Sequence, residues 1–270
     1  MLVLIKGSGD LASGVAHRFH QCGIQVIMTD IAQPTTVRCT VAYSRAIYEG
    51  TAEVEGVVGR LAHDANEAKS IAESGDLAVI VDPEAKILQE ISFDAVIDAV
   101  IAKKNIGTTM KDAPIVVALG PGFTAGVDCH AVVETKRGHH LGRVLYEGSA
   151  AANTGIPGNI IGFTSERIIR APKEGIFIPK HQIGDLVKQG DVVAEVEGTP
   201  VCANLDGVVR GMLPAGTPVH KGMKSGDIDP RGDVEYCRTI SDKARAIGGG
   251  ALEAVLSLKK RGNGHEQAIL

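Results

Sequence analysis

The chain has 270 residues, 44% of them hydrophobic, 22% charged and 3% aromatic, with no Trp. That allows one large or two modest domains, with cores built from Val, Ile, Leu and Ala. A net charge of −4 with no basic stripe argues against nucleic acid as the main partner, and no apolar run reaches membrane-spanning length. Five widely spread cysteines form no C-x-x-C pair, which argues against a thiolate zinc site and fits a reducing compartment. Met1 to Ile5 is apolar but too short for a signal peptide. A cytoplasmic setting is expected.

Leu2 to Ile5 is continuously apolar and predicts a buried parallel strand. Gly7-Ser8-Gly9 follows. Leu11, Val15, Phe19 and Cys22 then recur at helical spacing, and Gly23 ends that helix. Val26 to Met28 predicts a second strand, with Asp30 at its end. Gly7, Gly9 and Ala12 match the G-x-G-x-x-A pattern of a dinucleotide-binding βαβ unit, and Asp30 stands about 20 residues downstream. Such glycines let the backbone turn tightly, and a helix N-terminus offers N–H groups to an anion. Asp30 could accept from a ribose hydroxyl. Asp10 disagrees: its carboxylate sits where a phosphate would press, and it could cap the helix itself. A fold of this kind without a dinucleotide is the competing reading. His17 and His20, three apart, fall off the apolar face, and no metal site is expected there.

Three further apolar runs predict strands at 77–81, 95–100 and 115–119. The second ends near Lys103 and Lys104, the third in Gly120-Pro121-Gly122. Ligands of open α/β sheets gather at the carboxyl ends of parallel strands, and a second glycine turn could form another anion nest. The polar run Glu134 to His140 follows Ala131-Val132-Val133. Within it, Arg137 with Lys136 could bind phosphate or carboxylate, and His139 and His140 could act as acid/base groups near neutral pH.

In the C-terminal half, Gly184 to Gly190 and Gly216 to Gly222 both read G-x-x-V-x-x-G, each beside short strands. Two such halves predict a small biotinyl/lipoyl-like barrel-sandwich. The segment between them, Glu195 to Asp206, has no lysine to modify, so no carrier function is expected. Asp227 and Asp229 could hold a hard cation or pair with Arg231. Cys237 reads as an inert buried thiol. The end of the chain predicts a helix interrupted at Gly248-Gly249-Gly250, with a disordered tail after Gly262. The expected architecture is therefore α/β: a Rossmann-like domain at 1–165, a barrel-sandwich at 168–232 and a C-terminal helical segment at 233–262.

Several phrases occur in order: Gly7-Ser8-Gly9-Asp10-Leu11-Ala12, Leu119-Gly120-Pro121-Gly122-Phe123, Glu134-Thr135-Lys136-Arg137-Gly138-His139, Thr154-Gly155-Ile156-Pro157-Gly158 and Gly226-Asp227-Ile228-Asp229-Pro230-Arg231. With Ile240-Ser241-Asp242-Lys243 and Gly249 to Ala254, they resemble the selenium-dependent molybdenum hydroxylase system protein family (YqeB-like). The resemblance implies an accessory role in maturing molybdenum hydroxylases. The partner would be the hydroxylase apoenzyme or other maturation proteins, and an oligomer is allowed. It carries over no catalytic residue, and whether the chain is an enzyme stays open. The expected ligand is phosphate-bearing, a molybdopterin-type cofactor or a nucleotide, at Gly7, Ser8, Gly9, Asp10, Ala12, Asp30, Gly120, Pro121, Gly122 and Arg137. Two alternatives stand beside it: an NAD(P)-dependent oxidoreductase, and a non-catalytic scaffold that delivers a cofactor.

Overall fold

The computed structural model describes residues 1–266. From residue 267 on, the tail expected to lack order lies outside the described residues. The chain divides into two compact units, each discontinuous in sequence. The first holds 1–32, 43–153 and the chain from 240; the second holds 33–42 and 154–239. The sequence predicts contiguous blocks at 1–165, 168–232 and 233–262.

The first unit is built on nine strands: β1 (Leu2–Lys6), β2 (Gln25–Asp30), β3 (Thr51–Val54), β4 (Val57–Ala62), β5 (Leu77–Val81), β6 (Ala95–Asp98), β7 (Ile115–Leu119), β8 (Ala131–Val133) and β9 (Val144–Leu145). Their order is β3-β4-β5-β2-β1-β6-β7-β8-β9. The run from β4 to β8 is parallel. β3 and β9 close the two edges antiparallel. Strands β1, β6 and β7 are apolar throughout their middles because both faces are covered. Each side chain as large as Leu4, Ile5 or Ile97, all fully buried, contributes roughly 1.5–3 kcal/mol.

Helices α1 (Asp10–Gln21), α2 (Ala46–Glu49), α3 (Ala65–Ser74) and α4 (Asp242–Glu266) complete this unit. The expected break in α4 does not occur. The helix runs straight through Gly248-Gly249-Gly250. Two of these glycines are places of close approach: a Cβ at Gly248 would lie 2.9 Å from the Gly14 carbonyl oxygen of α1, and one at Gly250 would strike that of Gly142. Tertiary contact, not helix propensity, explains Gly248 and Gly250. Among the described residues, no helix is long and apolar enough to cross a membrane.

The second unit holds β10 (Ile168–Arg170), β11 (Gly175–Pro179), β12 (Leu186–Val187), β13 (Val192–Val196), β14 (Thr199–Cys202), β15 (Gly207–Met212), β16 (Thr217–Val219) and β17 (Lys224–Asp229). They form two four-stranded antiparallel sheets, β10-β17-β15-β12 and β14-β13-β11-β16. Ile169, Phe177, Val193, Val196, Val209 and Ile228 form the core. Residues 33–42 join this unit through the Met212 N–H, which donates to the Val37 carbonyl at 2.7 Å. Gly211 permits that approach, since a Cβ there would sit 2.9 Å from the same oxygen.

This architecture corrects the expected Rossmann-like domain joined to a biotinyl/lipoyl-like barrel-sandwich. The main sheet is nine-stranded and mixed, and the second unit is a pair of antiparallel sheets that takes in residues 33–42. The glycine pattern at Gly7 specifies only β1, α1 and β2. It carries no information about the β3–β4 hairpin or β9.

Candidate functional site

The carboxyl ends of β2, β1, β6, β7 and β8 lie side by side in the first unit. Gly7 leaves β1 with φ +94°, and a Cβ there would stand 3.0 Å from the Ala99 carbonyl oxygen. The turn therefore packs directly on the segment that follows β6. Ser8 is fully buried. Its N–H donates to Asp30 Oδ2 at 2.9 Å, and its hydroxyl donates to the same oxygen. Asp30 Oδ1 accepts from the Ile31 N–H at 2.8 Å. Asp30 is thus engaged in holding the turn. Gly9 is the extended residue before α1 and supplies no side-chain cap to the first N–H groups of the helix. Asp10 opens α1. Ala12 is buried and packs the helix within the unit.

Beneath the turn lies a polar network absent from the sequence reading. Lys6, the last residue of β1, donates from Nζ to Asp112 Oδ2 at 2.7 Å and to Thr108 Oγ1 at 3.0 Å. The Thr108 hydroxyl in turn donates to Asp98 Oδ2 at 2.6 Å. Asp98 and Thr108 are buried, and the Lys6 and Asp112 side chains are 13% and 14% exposed. Asn105 braces the same loop: its Oδ1 accepts from the Thr108 N–H and its Nδ2 donates to the Thr108 carbonyl, both at 2.8 Å. One signal was available in the sequence. Asp98 interrupts an apolar run inside a parallel strand, where an ionisable group needs a partner.

The second glycine turn, Gly120-Pro121-Gly122, follows β7. Gly120 and Gly122 have φ of +77° and +108°. The Gly120 N–H donates to the Val133 carbonyl at 2.9 Å. A Cβ on Gly120 would strike the Thr135 hydroxyl, and one on Gly122 would lie 2.6 Å from the Lys104 backbone. The two turns therefore flank a single segment, Ala99–Lys104. Within it Ile101 and Lys103 both adopt left-handed backbone, φ +59° and +62°. Each such residue costs about 1–2 kcal/mol, which the surrounding contacts must offset. The Lys103 and Lys104 side chains are exposed.

Arg137 is placed differently. Its guanidinium makes a bidentate pair with Asp242 at the start of α4. Glu134 is buried and accepts from the N–H groups of Lys136 at 2.7 Å and Ala151 at 2.8 Å, so it closes a loop. His139 and His140 are exposed, their rings edge to face at 5.0 Å. Among the described residues, no group of three His, Cys, Asp or Glu side chains is arranged to hold a metal ion. The arrangement offers uncapped N–H groups, two lysines on a strained segment and a rigid polar floor. These are binding chemistry for an anion.

No family model matches the chain. It is 52% identical over 261 residues to YqeB of Escherichia coli (strain K12), covering 97% of the chain and 48% of that protein. The chain thus spans about half the length of this curated relative. Similar solved structures include an aspartoacylase family protein from Mesorhizobium loti (14% identity, 84% of both chains, TM-score 0.28). Others are a succinylglutamate desuccinylase/aspartoacylase from Rhodobacter sphaeroides (15%, 84% of both, 0.26) and the product-bound ectoine utilization protein EutE of Ruegeria pomeroyi (11%, 84% of both, 0.26). The maturation factor, the NAD(P)-dependent oxidoreductase and the cofactor-delivery scaffold expected from the sequence find no counterpart among these three structures.

Proposed function

We propose that this YqeB-like chain binds a small anionic molecule at the carboxyl edge of the nine-stranded sheet, over Gly7, Ser8 and Gly9 and beside Gly120, Pro121 and Gly122. The finer kinship, with selenium-dependent molybdenum hydroxylase system proteins, rests on the ordered phrases from Gly7 to Ala254. It is proposed as ancestry, with no maturation role attached.

One observation carries the reading. Helix α1 begins at Asp10, after a Gly9 that supplies no side-chain cap, on the edge where two glycine turns flank Ala99–Lys104. The helix end supplies oriented N–H donors and about half a unit of positive charge. Lys103 and Lys104 add two full charges beside it. Ser8 and Asp30 hold the turn rigid, and the Lys6 network fixes the floor, so little ordering cost falls on the ligand. Asp10 lies in the first turn and disfavours a bulky polyanion, which points to a compact ligand with one anionic group. Asp30 already accepts from Ser8 and Ile31, so this reading gives it no contact with a sugar hydroxyl. Titration of the full chain with inorganic phosphate and with acetate, followed by residue-resolved amide shifts, tests it. Saturable shifts at Gly9 to Ala12 and around Gly122 are expected. Shifts confined to other parts of the chain contradict the site.

A further inference from the structure

One outer face of the second unit is apolar where a solvated sheet would be polar. The sheet β14-β13-β11-β16 turns Phe177, Val193 and Val196 inward to the core. Its other face follows from the strand register. Ile176 of β11 stands opposite Pro218 of β16. Ile178 stands opposite Glu195 of β13, which in turn stands opposite Pro200 of β14. Val192 and Cys202 are opposite each other at the far end of β13 and β14. Ile176, Ile178 and Val192 are 41%, 40% and 44% exposed, and Pro200, Cys202 and Pro218 are exposed as well. An antiparallel sheet with one wet face alternates apolar residues inward with polar residues outward. Here every one of these outward positions except Glu195 is apolar.

The charges on this face cancel. Glu195 pairs at 3.0 Å with Lys180, which lies two residues past Ile178. Both side chains are partly exposed, so the pair contributes little within one copy. One cation beside one anion makes the face its own electrostatic complement: about a twofold axis, Lys180 of one copy meets Glu195 of the other, and the reverse. A strongly charged partner of either sign finds no matching field here. The edges exclude pairing by strand addition. β14 and β16 are the outermost strands, and each carries a proline, Pro200 and Pro218, with no N–H to give to an added strand. A partner therefore packs on the face. Four strands about 4.8 Å apart, at about 3.3 Å per residue, make a face on the order of 250 Å². That approaches the largest contiguous apolar patch of an ordinary soluble monomer. It is below the ~800 Å² per partner of a standard stable interface, so the contact it supports is reversible.

We infer that this face is the contact between two copies of the chain, packed sheet on sheet about a twofold axis in a reversible dimer. Ile176 and Ile178 lie at its centre, Lys180 of each copy faces Glu195 of the other, and the contact is independent of the glycine-turn site.

The test is sedimentation equilibrium of the full chain over a wide range of concentration, with a thermal melt of each variant to confirm its fold. The parent chain is expected to show a monomer–dimer equilibrium. Ile178→Lys, at an exposed position that leaves the core untouched, should raise the dimer dissociation constant at least tenfold, about 1.4 kcal/mol. Leu186→Lys is the control. Leu186 is 67% exposed but belongs to β12 in the other sheet, so this variant should keep the dimer. Lys180→Glu should weaken the dimer, and adding Glu195→Lys should restore it, because the two charges then only change places. If Ile178→Lys does not fold, this charge reversal decides. A parent chain that is monomeric at every concentration overturns the proposal and leaves the face to a different protein. A dimer unchanged in Ile178→Lys, one disrupted as strongly by Leu186→Lys, or a charge reversal that Glu195→Lys does not rescue overturns it as well.

Discussion

Ser8 directs both its backbone N–H and its hydroxyl onto one oxygen of Asp30, 22 residues away in sequence. This ties the end of β1 to the end of β2 at the point where the glycine turn begins. Asp30→Ala strands two buried donors, a loss of about 1–3 kcal/mol. Urea unfolding should show the midpoint fall accordingly. An unchanged midpoint would mean that the turn does not depend on Asp30.

Lys6 is the charged centre of the floor. Replacing it with Met leaves Asp112 without its cation and Thr108 without the donor to its hydroxyl oxygen. Removing one partner of a buried pair costs about 3–5 kcal/mol, and the slight exposure of Lys6 and Asp112 places this site at the lower end, about 3 kcal/mol. The double variant Lys6→Met with Asp112→Leu should recover part of that loss in the same unfolding experiment. No recovery would show that the two residues are not coupled.

Adjacent glycines of α4 should respond in opposite directions. Gly249 has nothing within 4 Å of its added Cβ, so Gly249→Ala should stabilise by about 0.5–1 kcal/mol through helix propensity. Gly250→Ala drives a methyl group into the Gly142 carbonyl and should destabilise despite the same propensity gain. Thermal melts of the two single variants separate the cases; shifts of the same sign would refute the packing described for α4.

These elements show what could be read from sequence. The apolar runs at 77–81 and 115–119 became β5 and β7, because a strand buried on both faces needs apolar residues at every position. The Gly7 to Asp30 stretch announced a local β–α–β unit, since turn chemistry and helical period are written within 30 residues. The rest is not local. β8 has three residues and β9 two, too few for a period. Lys6 and Thr108 are 102 residues apart, and Arg137 and Asp242 are 105 apart, so neither pairing had a signature. Paired glycine turns near Gly184 and Gly216 suggested one symmetric barrel-sandwich, but turns do not specify which strands pair. The structure joins β12 to β15 and β10 to β17. Asp229 and Arg231, two apart, were within the range where a sequence can suggest a partner, and they are paired.

Stability should decline on mild acidification. His130 Nδ1 accepts the Val116 N–H at 2.9 Å, which requires an unprotonated nitrogen. Burial lowers its pKa below the ordinary 6.5. The unfolded chain therefore binds a proton first, and stability present above pH 6.5 is lost as pH falls toward the folded value. His17, also lowered chiefly by burial, adds to the same window. His130→Asn should remove part of the slope of melting temperature against pH below 6.5. An unaltered slope would exclude His130 as a contributor.

The central claim is that the uncapped start of α1 is a ligand site and not only a way to pack helix on sheet. Gly9→Val places a branched side chain at the residue before the helix, in the path of an anion approaching those N–H groups. The most direct measurement is the apparent dissociation constant for inorganic phosphate, read from the amide shifts of Asp10, Leu11 and Ala12 in the parent chain and in Gly9→Val. Binding at these amides that weakens tenfold or more, about 1.4 kcal/mol, in a variant with an unchanged melting temperature is the predicted result. Amides that do not respond to phosphate in the parent chain, or equal constants in two folded proteins, would contradict it.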